Sequence, residues 1–240
     1  MARDFNGSSD KTGHGLAAEQ NNLTTWSFGG WFYLDSNAQY KRIVQKGSAW
    51  PNADWDLEFD DGWGMVFTNI HWSTNSGAWS IPKPATGAWT HILVTYDMGS
   101  TANDPAIYVN GASQTVTERG TPSGTAPANS QSTLYLGSDS GNGQYYDGRM
   151  AEFAMWNRVL TAAEADIIGA KKYSPLFVSN GLVMYVPLIG RTSPELELIN
   201  GANGTLTGTS VIEHPSIIYP YGDPIGIKLP NLKETKKYVR

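Results

Sequence analysis

Cysteine is absent from the 240 residues, so the fold cannot depend on disulfides or on thiolate ligands for zinc. No window of 18 residues is continuously apolar, which argues against a membrane-spanning helix. Charged residues are also scarce, at 16%, and the net charge is −5. Because phosphate binding needs a basic surface, we expect no nucleic-acid partner for the main body of the chain.

The motifs of several enzyme classes are missing as well. The sequence contains no Gly-x-Ser-x-Gly elbow, no Walker loop and no dinucleotide fingerprint. Its four histidines are scattered and form no His-Glu-x-x-His zinc motif. The N-terminus shows no positively charged segment followed by a long apolar run, so we expect no Sec-type signal peptide and synthesis in a host cytoplasm.

Glycine and aromatic residues are abundant, with 26 glycines, 9 tryptophans and 12 tyrosines. Many glycines suit a fold with many turns, and a chain of this length can form one large domain with its own core. Aromatic rings are common both in the cores of β-sandwiches and in sugar-binding clefts. Composition therefore predicts a turn-rich β domain and leaves two roles open for the rings.

The stretch 147–169 changes its period midway. Residues 150–159 are apolar with short-range alternation, which is typical of a strand. Thr161 then opens a Thr-Ala-Ala-Glu capping box, good helix formers come next, and Gly169 is a suitable C-terminal stop. The sequence therefore predicts a strand that leads into one short helix near 162–169.

Further strands are predicted from alternation and from turn residues. They lie at 3–9, 23–34, 41–46, 89–97, 106–110, 133–137 and 181–188. The first is expected at a sheet edge, and the last is expected to return to the same sheet. Asp61-Gly62 and Asn110-Gly111 predict hairpin turns, and Gly29-Gly30 indicates a bulge or a close backbone approach.

Two polar segments carry no clear strand pattern. Residues 118–131 are low in hydrophobicity and are interpreted as a loop. Trp72 and Trp79 lie in a connection that is rich in glycine and serine. We therefore expect both segments to be irregular.

Several motifs occur in an order that resembles the laminin-G-like, concanavalin A-like jelly-roll family. The motifs are FNGSSD (5–10), WSFGGWFYLDS (26–36), RIVQKGS (42–48), GAWTHILVTYD (87–97), AIYVNG (106–111), LYLGSD (134–139) and YYDGRMAEFAMWNRVLTAAEA (145–165). The resemblance implies an all-β fold, a two-sheet antiparallel jelly-roll sandwich over residues 1–214. Members of this family share one fold but differ widely in function.

The last 26 residues differ from the body. Four prolines between Pro215 and Pro230 break any regular helix or central strand. From Ile225 onward, five basic residues stand against one acidic residue, a net charge of +4. We interpret 215–240 as a basic C-terminal arm that contacts neighbouring subunits; the alternative is a solvated terminus.

Carboxylates recur at every second position in Asp54, Asp56, Glu58 and Asp60, which places them on one face of a strand. Glucanases with this broad fold carry a similar Glu-x-Asp-x-Glu array, in which one carboxylate attacks and another donates a proton. Here the first position is Asp54, which shortens the reach of the nucleophile. We expect the carboxylates to face water, and catalysis by Asp54, Asp56 and Glu58 is the alternative.

The resemblance also implies a candidate calcium site, because relatives often hold Ca²⁺ at a sheet rim through carboxylates and backbone carbonyls. The candidate ligands are Asp10, Asp139 and Asp147, which lie in loops of the matching motifs. The other interpretation of these residues is that they are polar turn residues, with no cofactor bound.

Four tryptophans in or beside loops are candidates for stacking on sugar rings: Trp50, Trp63, Trp72 and Trp79. Rings in long loops also cover the ends of a sandwich or make subunit contacts. Glycan binding is therefore one of two interpretations of these side chains.

The sequence as a whole predicts a non-catalytic structural or adhesive module. The most specific hypothesis is a decoration, head-associated or tail-associated protein on a phage virion surface. Its partners would be capsid or tail proteins, further copies of itself and glycans. The alternatives are a glycan hydrolase, or a free-standing lectin domain in an extracellular or cell-surface location.

Overall fold

The structure, a computed structural model, describes residues 1–15, 18–47, 53–70, 72–126, 133–139, 141, 143–190 and 193–220. In chain order its strands are β1 (Ala2–Asn6), β2 (Lys11–Gly15), β3 (Thr25–Leu34), β4 (Arg42–Gly47), β5 (Ala53–Asp60), β6 (Gly64–Asn69), β7 (Gly77–Ile81), β8 (Trp89–Asp97), β9 (Ala106–Val109), β10 (Ala112–Ser113), β11 (Thr117–Gly120), β12 (Thr133–Leu136), β13 (Asp147–Trp156), β14 (Leu182–Val186), β15 (Gly204–Thr207) and β16 (Ser210–Ile212). The helices are α1 (Ala162–Ala165), a π-helical turn (Asp166–Ala170) and two 3-10 helices (Ala18–Gln20 and Pro175–Val178).

Within these residues the strands form two antiparallel sheets of eight strands each. Sheet A has the order β10-β9-β8-β3-β13-β1-β16, and β14 pairs with the second half of β13. Sheet B has the order β11-β7-β6-β5-β4-β12-β2-β15. This arrangement confirms the predicted jelly-roll sandwich.

The main core lies between the sheets and is mostly aromatic. Strand alternation turns Trp55, Leu57 and Phe59 of β5 inward, where each is fully buried. From sheet A, Phe28 stacks on Trp55 with ring centroids 4.4 Å apart. Burying such a side chain contributes about 1.5–3 kcal/mol, so these rings supply much of the attraction between the sheets.

A second apolar cluster covers the outer face of sheet A. Strand residues such as Leu93, Trp156 and Tyr185 point away from the main core and pack against Leu160 and Ile168 of the helical segment. Trp156 also donates from its indole nitrogen to the carbonyl of Val178, at 2.7 Å. The helix is therefore the cover of this face.

The predicted capping box at the start of α1 is confirmed. The amide of Glu164 donates to the Thr161 hydroxyl at 3.3 Å, and the amide of Thr161 donates to the Glu164 carboxylate at 2.9 Å. Arg158 also pairs with Glu164 at 2.5 Å, and this contact holds the pKa of the carboxyl down, to about 2. The helix thus begins where the sequence indicated.

Gly169 does not end the helix as predicted. The π-helical turn continues to Ala170, and Lys172 takes the left-handed conformation with φ 59°. Gly169 instead permits a close approach, because a Cβ there would lie 2.4 Å from the backbone nitrogen of Gly111. Its role in the fold is therefore contact between the helix and the β9–β10 hairpin.

The predicted close approach at Gly29-Gly30 is confirmed. A Cβ on Gly29 would lie 2.5 Å from the carbonyl oxygen of Ile92 in β8. The bulge itself lies on the paired strand β13, whose register with β3 shifts between Ala151 and Ala154. Glu152 occupies this bulge with φ 58°.

Three expectations about strands are wrong. β1 is not an edge strand, because β16 pairs with it on the side away from β13. Trp79 lies inside β7 rather than in an irregular connection. Residues 117–120 form β11, an edge strand of sheet B. The hairpin turns at 61–63 and 110–111 and the return of β14 to sheet A agree with the sequence.

Residues 213–219 lie on the outer face of sheet A. Ile218 exchanges backbone hydrogen bonds with Lys172 (2.9 Å) and Ser174 (2.8 Å). The Tyr219 hydroxyl donates to Glu152 at 2.7 Å, and His214 Nε2 lies 3.2 Å from the same carboxylate. The first residues of the proposed arm are therefore docked on the body, whereas 221–240 lie outside the described residues.

No helix within the described ranges is both long enough and apolar enough to cross a membrane.

Candidate functional site

The outer face of sheet B carries the alternating carboxylates of β5. Because Trp55, Leu57 and Phe59 point inward, the residues between them point to the opposite side. The expectation that these carboxylates face water is wrong for Asp54 and Asp56, whereas Glu58 and Asp60 are partly exposed. Asp54 and Asp56 are each only 2% exposed.

Cations from the neighbouring strand β4 explain how these acids can be buried. The Lys46 ammonium lies 2.8 Å from Asp54, and both side chains are almost completely covered. Arg42 pairs with Asp56, lies 2.9 Å from Glu58 and also contacts Gln144. Buried charges require such partners, so β4 and β5 form a mixed-charge cluster rather than a wet acidic row.

Proton affinities in this cluster depart from the ordinary values. Burial raises the pKa of Asp56 to about 6, although Arg42 opposes the shift. Burial, and after it the charge of Asp56, raises the pKa of Glu58 to about 7. The side chain of Glu58 is 18% exposed, against 3% for Asp56. Glu58 is therefore the acid of the pair that a bound molecule can reach.

Catalysis by this array meets a geometric obstacle. A retaining glycosidase needs a nucleophile and a proton donor that both touch the substrate. Asp54 and Asp56 are buried behind Lys46 and Arg42, so neither is open to a sugar carbon. The raised pKa of Glu58 would suit a general acid, but the other partly exposed carboxylate of β5, Asp60, is engaged by the amides of Gly62 and Trp63.

Trp63 supplies an exposed aromatic ring at the turn between β5 and β6. The residue is 46% exposed. The Asp60 carboxylate accepts from the amides of Gly62 and Trp63, each at 2.8 Å, and so fixes the turn. The guanidinium of Arg119 lies 6.0 Å from the ring centroid. Trp63 is thus held in position while part of its ring remains open.

Register places this ring on the same face as Glu58. Arg119 donates from Nε to the Ser80 hydroxyl at 2.9 Å. Ser80 pairs with Val66, and Val66 pairs with Glu58, so these three residues form one row across β7, β6 and β5. With strands about 4.8 Å apart, Ser80 lies roughly 10 Å from Glu58. We name the set Arg42, Glu58, Trp63, Arg119 and Gln144 the sheet B face.

The other predicted stacking tryptophans are not on this face. Trp79 is fully buried and donates from its indole nitrogen to Asp104 at 2.7 Å. Trp72 is 6% exposed and packs in the main core. Trp50 lies outside the described residues. Trp63 alone among the four is shown with an exposed ring in the described part of the chain.

The three candidate calcium ligands lie in different local settings. Asp10 accepts hydrogen bonds from the Asn6 amide and the Ser9 hydroxyl. Asp139 is buried, and its charge acts on Asp56 and Glu58. Asp147 begins β13. Across the described ranges, no three acidic, histidine or cysteine side chains are arranged to hold a metal ion.

Arg42, Arg119 and Gln144 were missed by reasoning from the sequence. None of them has a recognisable spacing relative to Glu58. Arg42 could have been found from the expected neighbourhood of the strands 41–46 and 55–60, since a buried acid on one strand needs a cation on the next. Gln144 is 102 residues from Arg42, so no local pattern joins them.

Comparison with known sequences gives one family match. The family described as the concanavalin A-like lectin/glucanases superfamily matches residues 8–166, more than half of the chain. No curated protein sequence gives a significant match.

Similar folds are found among solved structures. A proposed carbohydrate-binding protein from Bacteroides ovatus ATCC 8483 aligns with a TM-score of 0.62 and 16% identity over 87% of this chain, which spans 58% of that protein. The heptameric SAP-like pentraxin from Limulus polyphemus aligns with a TM-score of 0.50 and 13% identity, over 70% of this chain and 81% of the pentraxin. At such identities the likeness establishes the fold and not the ligand.

Proposed function

Since the chain belongs to the concanavalin A-like lectin/glucanase superfamily, we propose that it is a non-catalytic module that binds glycans on the sheet B face. The observation that carries the proposal is the exposed ring of Trp63, held beside polar side chains on the outer face of sheet B. Planar rings pack against the apolar faces of sugars, and neighbouring polar groups bind the hydroxyls.

Three groups on this face suit hydroxyl recognition. Glu58 can accept hydrogen bonds through its partly exposed carboxylate, and Arg119 can donate from its guanidinium. Gln144 is held in place by Arg42, so its amide does not have to be ordered on binding. The combination of one ring and several fixed polar groups supports saccharide binding over binding of an apolar ligand.

The test is a glycan array probed with the full chain, and then calorimetry on the best ligand. Trp63→Ala should weaken binding about fivefold or more, because the lost ring contact is worth on the order of 1–3 kcal/mol. Phe177→Ala is the matched control, since Phe177 is also an exposed ring (43%) but packs beside the helical cover of sheet A. Equal effects of the two variants, or no glycan bound by the wild type, would contradict the proposal.

A glycan hydrolase is the second candidate, and the raised pKa of Glu58 favours it. Such an enzyme would use Glu58 as proton donor with Asp54 or Asp56 as its partner. Release of reducing ends from β-glucans that disappears in Glu58→Gln would establish this alternative. The burial of Asp54 and Asp56 is the reason that we rank it below binding.

We further propose that the module acts on a particle surface, as a decoration, head-associated or tail-associated protein of a phage virion. Residues 221–240 would contact capsid or tail proteins or another copy of the chain. Their basic character from Ile225 onward supports contact with an acidic neighbour. An extracellular or cell-surface location is the alternative.

A further inference from the structure

Negative charge predominates around Glu58. The carboxylates of Asp56, Asp60 and Asp139 all act on it, and each raises its pKa. Arg42 is the cation that opposes them, and it is shared with Asp56. Among the described residues, the centre of the sheet B face therefore carries more negative than positive charge.

Both terminal nitrogens of Arg42 are already engaged, so they are not available to balance further negative charge. Its two terminal nitrogens are engaged by Asp56, Glu58 and Gln144, and its residue is 4% exposed. Its Nε is buried and donates to no group within the described part of the chain. An incoming anion could not use this guanidinium without separating it from its present partners.

We propose that the ligand of the sheet B face is an amino saccharide, whose ammonium group pairs with Glu58 while the face of its ring packs on Trp63. This inference rests on the proposed function and specifies its substrate class. An ammonium group makes a charge-assisted hydrogen bond with a carboxylate, which is about twice as strong as a neutral one. A neutral sugar lacks that contact, and an acidic sugar is repelled by the carboxylates.

The proton affinity of Glu58 agrees with this assignment. A pKa near 7 means that the carboxyl recovers a proton when no other positive charge is supplied. A ligand ammonium would take the place of that proton. The bound state should then hold Glu58 ionised, so binding of the amino saccharide is linked to the release of a proton from Glu58.

Arg119 gives the bound saccharide a direction. Its anchor, Ser80, lies roughly 10 Å from Glu58 across two strands. The two ends of the face thus differ in charge, with a guanidinium beside Trp63 and a carboxylate cluster at Glu58. We expect the amino group to lie at the Glu58 end and uncharged hydroxyls to lie near Arg119.

The experiment compares three trisaccharides by calorimetry with the full chain: a glucosamine trimer, its fully N-acetylated form and a glucuronic acid trimer. At pH 7.5 and low salt the amino form should bind at least tenfold more tightly than the N-acetylated form, and the acidic form should bind most weakly. The preference should shrink with added salt. Lowering the pH to 5.5 should also weaken the amino form several-fold, because Glu58 takes up a proton.

Two variants separate this inference from the proposed function. Glu58→Gln should bring the ratio of amino to N-acetylated affinity close to one, whereas Asp61→Asn, which changes an exposed acid paired with Lys83, should keep the wild-type ratio. Thermal melts verify that both variants fold. Equal wild-type affinities for the amino and N-acetylated forms, or an unaltered ratio in Glu58→Gln, would overturn the inference and leave glycan binding intact.

The failure of glycan binding itself has a different signature. If no trisaccharide and no array glycan binds, and Trp63→Ala behaves as wild type, both proposals fall. If neutral sugars bind only with added Ca²⁺ and are released by EDTA, the carboxylates serve a metal and the ammonium assignment is wrong.

Discussion

Arg42 holds together two acids that would otherwise repel each other. It contacts Asp56 and Glu58 from the adjacent strand and reaches Gln144 beyond them. Even so, the pKa of each acid stays above its ordinary value, because burial outweighs the attraction. Burial of these acids therefore lowers the stability of the fold at neutral pH, while their contacts hold the charges in a defined arrangement.

Replacing Glu58 should reveal this cost. Its folded-state pKa of about 7 lies above the ordinary value of 4.5, so the folded protein binds the proton more tightly than the unfolded chain. The wild type should lose stability as the pH rises from about 4.5 to about 7. Glu58→Gln avoids this loss and should raise the free energy of unfolding at pH 8 by up to about 3 kcal/mol. Urea denaturation at pH 5 and pH 8 measures the effect.

Asp61→Asn provides the comparison, since the Asp61 side chain is 65% exposed and pairs with Lys83 at the surface. Surface pairs contribute little, so the pH dependence of its stability should match the wild type. A Glu58→Gln variant that is less stable than wild type at pH 8 would show that the ion pair with Arg42 outweighs the burial of the acid.

Strand alternation was enough to predict the direction of the β5 side chains, but not their burial. The apolar residues Trp55, Leu57 and Phe59 fixed which face was inward. The cover of the other face depends on Arg42 from the preceding strand and on Gln144 from a distant segment, and their contacts depend on the sheet order. Burial of a polar face is a tertiary property, so a two-residue period cannot report it.

At the scale of the element, the helix after β13 depends on its first turn. It has only four α-helical residues before the π-helical turn, and isolated helices of that length are unstable. Packing of Ile168 and Leu160 on sheet A and the cap at Thr161 together keep it folded.

Removing the cap gives a direct measure of its contribution. Thr161→Ala should lower the free energy of unfolding by about 1 kcal/mol, because the Glu164 amide loses its acceptor. Thr161→Ser retains the hydroxyl and should remain within a few tenths of a kcal/mol of the wild type. Chemical denaturation compares the three proteins, and a Ser variant as unstable as the Ala variant would contradict a capping role.

Two elements that the sequence failed to predict have different physical causes. β11 is a short, exposed edge strand, and β7 holds Trp79 among small and polar residues. β11 buries little side-chain surface because it lies at the edge of sheet B, whereas β7 is mostly buried but, with five residues, too short to show an alternating pattern. The long strands β3, β8 and β13 were predicted because each lies in the middle of sheet A and carries a strong apolar pattern.

At the scale of the whole molecule, residues 213–219 dock on the body, so their contribution to the fold must be separated from any role of residues 221–240 in assembly. Deleting 215–240 would remove contacts to Glu152 and Lys172 as well as the basic segment. A truncation after Pro220 keeps the docked residues and removes only 221–240. It is therefore the cleaner variant for a test of assembly.

If the basic segment drives association, the truncated chain should elute as a smaller species than the full chain on a sizing column. The full chain with its lysines after Ile225 changed to glutamine is the matched control for charge, and it should behave like the truncation. Association of the full chain should also weaken with salt. Identical elution of all three proteins would reject the proposed role of the arm.

Glu152 meets the hydroxyls of Tyr185 and Tyr219 on one side of the sandwich, while Trp63 and Glu58 occupy the far side. A tether attached after Pro220 would therefore hold the protein on its sheet A side. Molecules fixed in that manner to a bead, a sensor chip or a scaffold would all expose the sheet B face to solvent. Immobilisation through this end should therefore not block access of a ligand to that face.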